Sequence, residues 1–262
     1  MRKTRIGWLW DKPERYIGGA ELTAITLAQN APERFEIVNC FAGDTWPDVD
    51  AYIVHNCTSY SAAYIAKLEQ KPVVKKVPDV WPHGDSDLRA WLLNHSELVV
   101  LCSPLQHEAM VWNIEAPVTY VPAAIDLTPF EAATNGNRKG YVTVLRLWPG
   151  KGVDRLGTWA AEQGVTIDVY GFGPEEKNVF GPLRYRGPVM YDELPSLLAR
   201  YETFVFLPSA VETYSRTVVE AWASGCQIVT NGNVGALWWL DNRPGDIKRG
   251  AELFWGEVRK VL

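Results

Sequence analysis

The chain has 262 residues with a formal net charge of -5, and 47% of them are hydrophobic against 22% charged, which suits a globular protein of one large domain or two ordinary ones. The acidic balance argues against broad nucleic-acid binding, which needs a basic footprint. No apolar stretch approaches membrane-spanning length and the N-terminal apolar run is too short for a signal peptide, so a cytoplasmic protein is expected.

In chain order, residues 6–10 read as a strand running into a loop, then Gly18-Gly19 and a helical pattern to about Asn30. A Gly pair there lets backbone approach a ligand at a helix N-terminus, or marks a plain turn. The Gly-x-Gly-x-x-Gly fingerprint is absent, so a nicotinamide site is not supported. Residues 35–41, 51–55, 72–77 and 98–102 follow as strands, with helices over 59–68, 87–94 and from Ser103 to about Trp112; residues 118–121 close this half. The loop after residue 77, Pro78-Asp79-Val80-Trp81-Pro82-His83, is dense in polar groups at a strand end, with Asp79 and His83 as its candidate side chains. His55, His83, His95 and His107 show no metal-ligand spacing, and no metal site is expected. Cys40, Cys57, Cys102 and Cys226 lie far apart in or beside apolar runs and read as buried reduced thiols. The twelve tryptophans read mostly as core, with one or two left to face a ligand.

The polar, Gly-containing segment ATNGNRKG marks a boundary, giving an expected N-terminal domain over residues 1–132 and a C-terminal one over 138–262, with a cleft between the carboxyl edges of their sheets. The second half restarts with a strand over 141–147. Arg146 and Lys151 flank a Trp-Pro-Gly turn at its end: either solvated cations, or a pair able to neutralise a diphosphate. A helix over 153–162, a strand over 166–170, the turn Gly171-Phe172-Gly173-Pro174, a short strand over 183–185 and a helix over 191–200 follow.

Residues 204–207, a helix from about Ser215 to Gly225 and residues 226–230 make a parallel βαβ unit. Two carboxylates interrupt it, Glu212 in the loop and Glu220 in the helix, with seven residues between them. Carboxylates accept from paired sugar hydroxyls, so Glu212 suits a hexose and Glu220 a ribose; the plainer alternative is a solvated loop Glu and an outward-facing helix Glu. Thr213, Tyr214 and Ser215 are expected at the free N–H groups of that helix, a setting for phosphate. An amphipathic helix over 246–262 ends the chain.

Taken in order and spacing, VLRLWPGKGVDRL, VYGFGPEE and RYRGPVM through SAVETYSRTVVEAWASG resemble the GT-B-fold retaining glycosyltransferases, specifically glycosyltransferase family 4, also called glycosyl transferases group 1. The resemblance implies an α/β chain of two Rossmann-like parallel-sheet domains facing each other across a cleft. It implies a hexosyltransferase that uses a nucleotide-diphosphate sugar such as a UDP- or GDP-sugar, with retention and with neither metal nor cofactor, on an unknown acceptor. Arg146 and Lys151 stand at its diphosphate positions, Glu212 at its donor-sugar position and Glu220 at its ribose position. The backbone of Val189 and Met190 would meet the base, the helix start at Thr213, Tyr214 and Ser215 the phosphates, and the Gly18-Gly19 loop the diphosphate. Asp79 is the side chain left for a catalytic assist. The chain departs from the pattern at Leu145 and Ser215, where the family has Gly, at Pro78-Asp79, where it often has His-Asp, and at Leu237, where several relatives have Glu. Other readings are a non-catalytic or weakly active nucleotide-sugar-binding protein, a nucleotide-sugar epimerase, and a DNA-base glucosyltransferase, the last of which would need a basic groove.

Overall fold

The computed structural model describes residues 2–11, 18–80, 84–133 and 136–262, so Trp81 and His83 lie outside the described residues. The chain divides into two compact units, Met1–Ile125 with Trp238–Leu262, and Asp126–Leu237.

In the first unit β1 (Thr4–Leu9), β2 (Phe35–Asn39), β3 (Ala51–Val54), β4 (Val73–Lys76), β5 (Leu98–Leu101) and β6 (Val118–Tyr120) form one sheet in the order β2-β1-β3-β4-β5-β6. Every pairing is parallel. The runs AYIV and LVVL are buried along their whole length, as strands covered by helices on both faces require. On one face Ile6, Trp8, Ile53, Val74 and Val100 pack with Ala24 and Leu27 of α1 (Gly19–Gln29). On the other, Tyr52, Val54 and Val73 meet Leu68 of α2 (Ile65–Leu68) and Leu88 and Leu92 of α3 (Ser86–His95). Asp85 caps α3 by accepting from the Asp87 and Leu88 N–H groups at 3.0 Å each. The helix expected over 59–68 is a 3-10 turn, Ala62–Tyr64, continued by α2, and α4 (Pro104–Ala109) stops short of Trp112.

In the second unit α5 (Thr128–Ala132) precedes a sheet of β7 (Tyr141–Val144), β8 (Ile167–Tyr170), β9 (Leu183–Gly187), β10 (Thr203–Phe206) and β11 (Gln227–Thr230), in the parallel order β11-β10-β7-β8-β9. Helices α6 (Val153–Gln163), α7 (Leu194–Leu198) and α8 (Arg216–Ala223) make the crossovers. The strand expected over 141–147 ends at Val144. The chain beyond stays tied to the next loop, since Leu145 and Leu147 donate to the Tyr170 and Phe172 carbonyls at 3.1 and 2.9 Å. The helix expected over 191–200 is a 3-10 turn, Tyr191–Glu193, followed by α7, which carries Pro195 in its first turn.

The chain then forms α9 (Ala236–Asn242), which the sequence reading did not assign, and α10 (Gly250–Val261) after a 3-10 turn at Pro244–Arg249. Trp238–Leu262 belong to the first unit, where the sequence reading placed them with the second domain. The reason is a specific docking. Phe254, Trp255 and Val258 join the cluster around Trp8 and Phe35, with the Trp255 ring 6.1 Å from Trp8 and 5.2 Å from Phe35. The Trp255 indole donates to the Leu27 carbonyl at 2.8 Å, and Trp239 to the Cys102 carbonyl at 2.6 Å. Periodicity marks α10 as amphipathic without saying which sheet receives it. All four cysteines are free, three buried and Cys57 half-buried. No helix among the described residues is long and apolar enough to cross a membrane.

Candidate functional site

In the second sheet the connections β7 to β8 to β9 run one way and β10 to β11 the other, so the strand order reverses between β7 and β10. Open α/β sheets bind ligands at the carboxyl ends of the strands flanking such a reversal. The loops there are residues 145–152 and 207–215. They are clasped together: the Ser209 and Ala210 N–H groups donate to the Gly150 carbonyl at 2.9 and 3.1 Å. Gly152, with φ 80°, lets the Leu207 carbonyl approach so closely that a Cβ would overlap it.

This clasp brings together two of the expected residues. Lys151 Nζ donates to Glu212 Oε1 at 2.6 Å, with 31% and 16% of the side chains exposed. Glu212 is held from its backbone as well. It donates to the Asn233 carbonyl at 2.8 Å and accepts from Gly235 N at 2.9 Å, forming an isolated parallel bridge with Val234. Asn231 and Asn233 brace the same place by donating to the Pro208 carbonyl at 2.9 and 3.0 Å. Arg146, in the same loop as Lys151, is exposed with its guanidinium 5.7 Å from the Phe172 ring centroid. Trp148, between them, is half exposed and is one tryptophan that the core does not absorb.

Glu220 is not on a solvated face. It is 1% exposed, accepts from the Tyr191 hydroxyl at 3.0 Å and lies 3.5 Å from Arg216 Nε one helical turn away. Arg216 also donates to the Tyr191 hydroxyl at 3.0 Å. Burial raises the Glu220 carboxyl above its ordinary value despite the guanidinium, and burial with the adjacent carboxylate pushes Tyr191 up to about 12. Sequence reasoning missed both companions. The i,i+4 spacing of Arg216 and Glu220 was a usable signal; nothing local pointed to Tyr191.

Helix α8 begins at Arg216, with Ser215 as its N-cap, so Thr213 and Tyr214 precede the helix instead of supplying its first N–H groups. The cause is Ser215, which takes a left-handed φ of 69° and turns the chain just before the helix. Tyr214 is buried and its carbonyl accepts from Ala236 N at 2.9 Å. Met190 is exposed, but its backbone is committed to the following turn. Its N–H donates to Glu193 Oε2 at 3.2 Å and its carbonyl accepts from Glu193 N at 3.1 Å. The Val189 backbone forms no hydrogen bond among the described residues.

Gly18, Gly19 and Asp79 belong to the first unit. Gly18 is the N-cap of α1 and donates its N–H to Glu21 Oε2 at 2.9 Å, with Gly19 exposed behind it. Asp79 is half-buried beyond the end of β4, and its Oδ1 accepts from Val80 N at 2.7 Å.

No protein-family model matches the chain, and no curated protein matches it in sequence. Solved structures do. The chain is similar to AviGT4, a glycosyltransferase involved in avilamycin A biosynthesis, at 16% identity over 94% of this chain and 88% of that one, with a TM-score of 0.64. It is similar to Anabaena HepE in complex with UDP-glucose, at 18% identity over 98% and 91% of the two chains, with a TM-score of 0.65. The fold is GT-B. Sucrose-phosphate synthase from Thermosynechococcus elongatus shares it at 10% identity over 99% and 91% of the chains, with a TM-score of 0.63. At these identities the GT-B likeness speaks for the architecture alone, and the site stands on its own geometry.

Proposed function

We propose that the chain is a glycosyltransferase that moves a sugar from a nucleotide-diphosphate sugar to an acceptor, with retention and without a metal. The observation that carries this reading is the Lys151–Glu212 pair at the strand-order reversal, with buried Glu220 eight residues further along the same β10–α8 connection. A cation beside a carboxylate is what a diphosphate joined to a polyhydroxy sugar needs. Lys151 and Arg146 take the diphosphate charge as the leaving group departs, and Glu212 accepts from the sugar hydroxyls. Glu220, buried beside Arg216 and oriented by the Tyr191 hydroxyl, meets the ribose, and the free Val189 backbone meets the base. The departing phosphate takes the acceptor proton, so no protein base is required. Gly18 and Gly19 as a diphosphate-approach loop, and Asp79 as a catalytic assist, remain proposals for substitution to test. The HepE structures hold UDP and UDP-glucose, which makes UDP-glucose the first donor to try.

A second reading, a nucleotide-sugar-binding protein without turnover, is favoured by Pro78-Asp79 standing where the family often has His-Asp. The experiment is a thermal-shift screen with UDP, GDP, ADP, CMP and dTDP and then their sugars, since a ligand that binds only the folded state raises the melting temperature. A shift with one diphosphate, followed by its release from the sugar donor in the presence of acceptors, is the expected result. Binding without release supports the second reading, and silence across the panel rejects both.

A further inference from the structure

One cavity lies wholly within the first unit, at the carboxyl ends of β3 and β4, and has a volume of about 50 Å³. At roughly 10–15 Å³ for each water position, it has room for a few waters or for one compact charged group. Lys75, Arg89, Trp112, Cys57, Asn56 and Asp79 are among its walls.

These walls are rich in donors. Lys75 is a buried lysine on β4 whose ammonium donates to the His55 carbonyl at 2.6 Å and the Cys57 sulfur at 3.6 Å, and no carboxylate of the described residues forms an ion pair with it. The Trp112 Nε1 atom is buried and has no acceptor among the described residues. The Arg89 guanidinium stands 5.8 Å from the Trp112 ring centroid. Ammonium, guanidinium and indole N–H groups are donors only, so that beside the acceptors of Asn56, Thr58 and Asp79 this part of the wall suits a group made entirely of acceptors. Asp79 is the single carboxylate in the wall and already attracts Arg89, so the wall holds two cations to one carboxylate.

We propose that this cavity binds a compact oxyanion, a carboxylate or phosphate group carried by the acceptor. Assigning the anion to an acceptor rests on the glycosyltransferase reading; the oxyanion site itself does not. A bound anion would also relieve Lys75, whose pKa burial holds below the ordinary lysine value.

The test follows the indole N–H of Trp112 in a proton–nitrogen correlation spectrum, assigned by its loss in Trp112→Phe. Inorganic phosphate and acetate are titrated separately at constant ionic strength, with chloride as control. The expected result is a saturable shift of that signal with at least one of the two, weakened about tenfold or more in Arg89→Met. Response to phosphate alone points to a phosphorylated acceptor, and response to acetate alone to a carboxylated one. No saturable shift with either, or an unchanged shift in Arg89→Met, overturns the proposal. Should Arg89→Met fail to fold, Trp112→Phe carries the test, because it keeps an aromatic ring while removing the indole N–H and must lose the thermal stabilisation given by whichever anion shifts the parent's signal. UDP-glucose binding measured on the same samples separates the two readings: its absence removes the donor assignment while leaving the oxyanion result standing.

Discussion

Lys151 and Glu212 stand 61 positions apart in the sequence, yet their side chains meet at 2.6 Å between the loops that follow β7 and β10. Each is the other's counter-charge at the strand-order reversal of the second sheet. A ligand that engages either one must therefore redistribute both. On the proposed donor-binding role, the two members of the pair should fail together.

Glu212→Ala and Lys151→Ala are each expected to weaken binding of the preferred nucleotide sugar by about tenfold or more, while changing stability by no more than about 1 kcal/mol, because the pair is partly open to solvent. Calorimetric titration and urea unfolding of the two single variants and the double variant check this. A double variant no worse at binding than either single one is the signature of coupling. Intact donor binding alongside a large loss of stability would make the pair a structural clamp.

Ser215 is the one non-glycine residue with positive φ among the described residues. A left-handed residue with a Cβ costs roughly 1–2 kcal/mol, and glycine gives back about 0.5–1 kcal/mol of that through its freer unfolded chain. Ser215→Gly is therefore expected to stabilise the protein by somewhat less than about 1 kcal/mol, and Ser215→Val to destabilise it, since branching at Cβ worsens the clash. Urea unfolding reads both. A Ser215→Gly variant less stable than the parent would show that the serine hydroxyl does more than the backbone geometry requires.

Much of this architecture was legible because buried parallel strands write themselves as short apolar runs such as LVVL and TFVF, which are buried throughout. The places of Glu212, Lys151 and Glu220, in loops at strand ends and in the helix that follows, were also legible. Their pairing was not. Residue separation hides the contact of Lys151 with Glu212, and nothing near Tyr191 announces that its hydroxyl will meet Glu220. Ser215 stood out in the sequence, and only the backbone shows that it takes a left-handed φ and that α8 begins at Arg216. The last helix was found by its period and misassigned by its place in the chain, because docking of Trp255 on Phe35 and Leu27 is a long-range event.

Gly152 decides whether the two site loops can touch. Its φ of 80° and the Leu207 carbonyl against it leave no room for a Cβ. Gly152→Ala is expected to cost about 2–3 kcal/mol or more, from backbone strain and from overpacking against a carbonyl that cannot move freely. Because the same turn carries Lys151, donor binding should fall even at temperatures where the variant is folded. Gly232→Ala is the control, since nothing lies within 4 Å of a Cβ built there. Equal melting temperatures for the two variants would mean that the Leu207 carbonyl yields to a Cβ at Gly152.

Glu220 sets a pH dependence whose sign can be worked out. Burial raises its folded-state pKa above the ordinary glutamate value, against the opposing pull of Arg216 and Tyr191. Below the unfolded value, about 4.3, both states hold the proton and the group contributes no slope. As pH rises past that point the unfolded chain releases its proton while the folded one keeps it, so stability attributable to this residue is lost with rising pH until the raised folded value is passed. Glu220→Gln stays neutral and keeps the shape and an acceptor oxygen for Tyr191. The variant should therefore show a flatter decline in unfolding free energy from about pH 4.3 towards neutrality, with the two curves converging at the acid end. Urea unfolding at a series of pH values measures this directly. Parallel curves would mean that Arg216 fully offsets burial and that Glu220 is an ordinary buried ion pair. A wild-type curve that gains stability relative to the variant as pH rises would reverse the assignment.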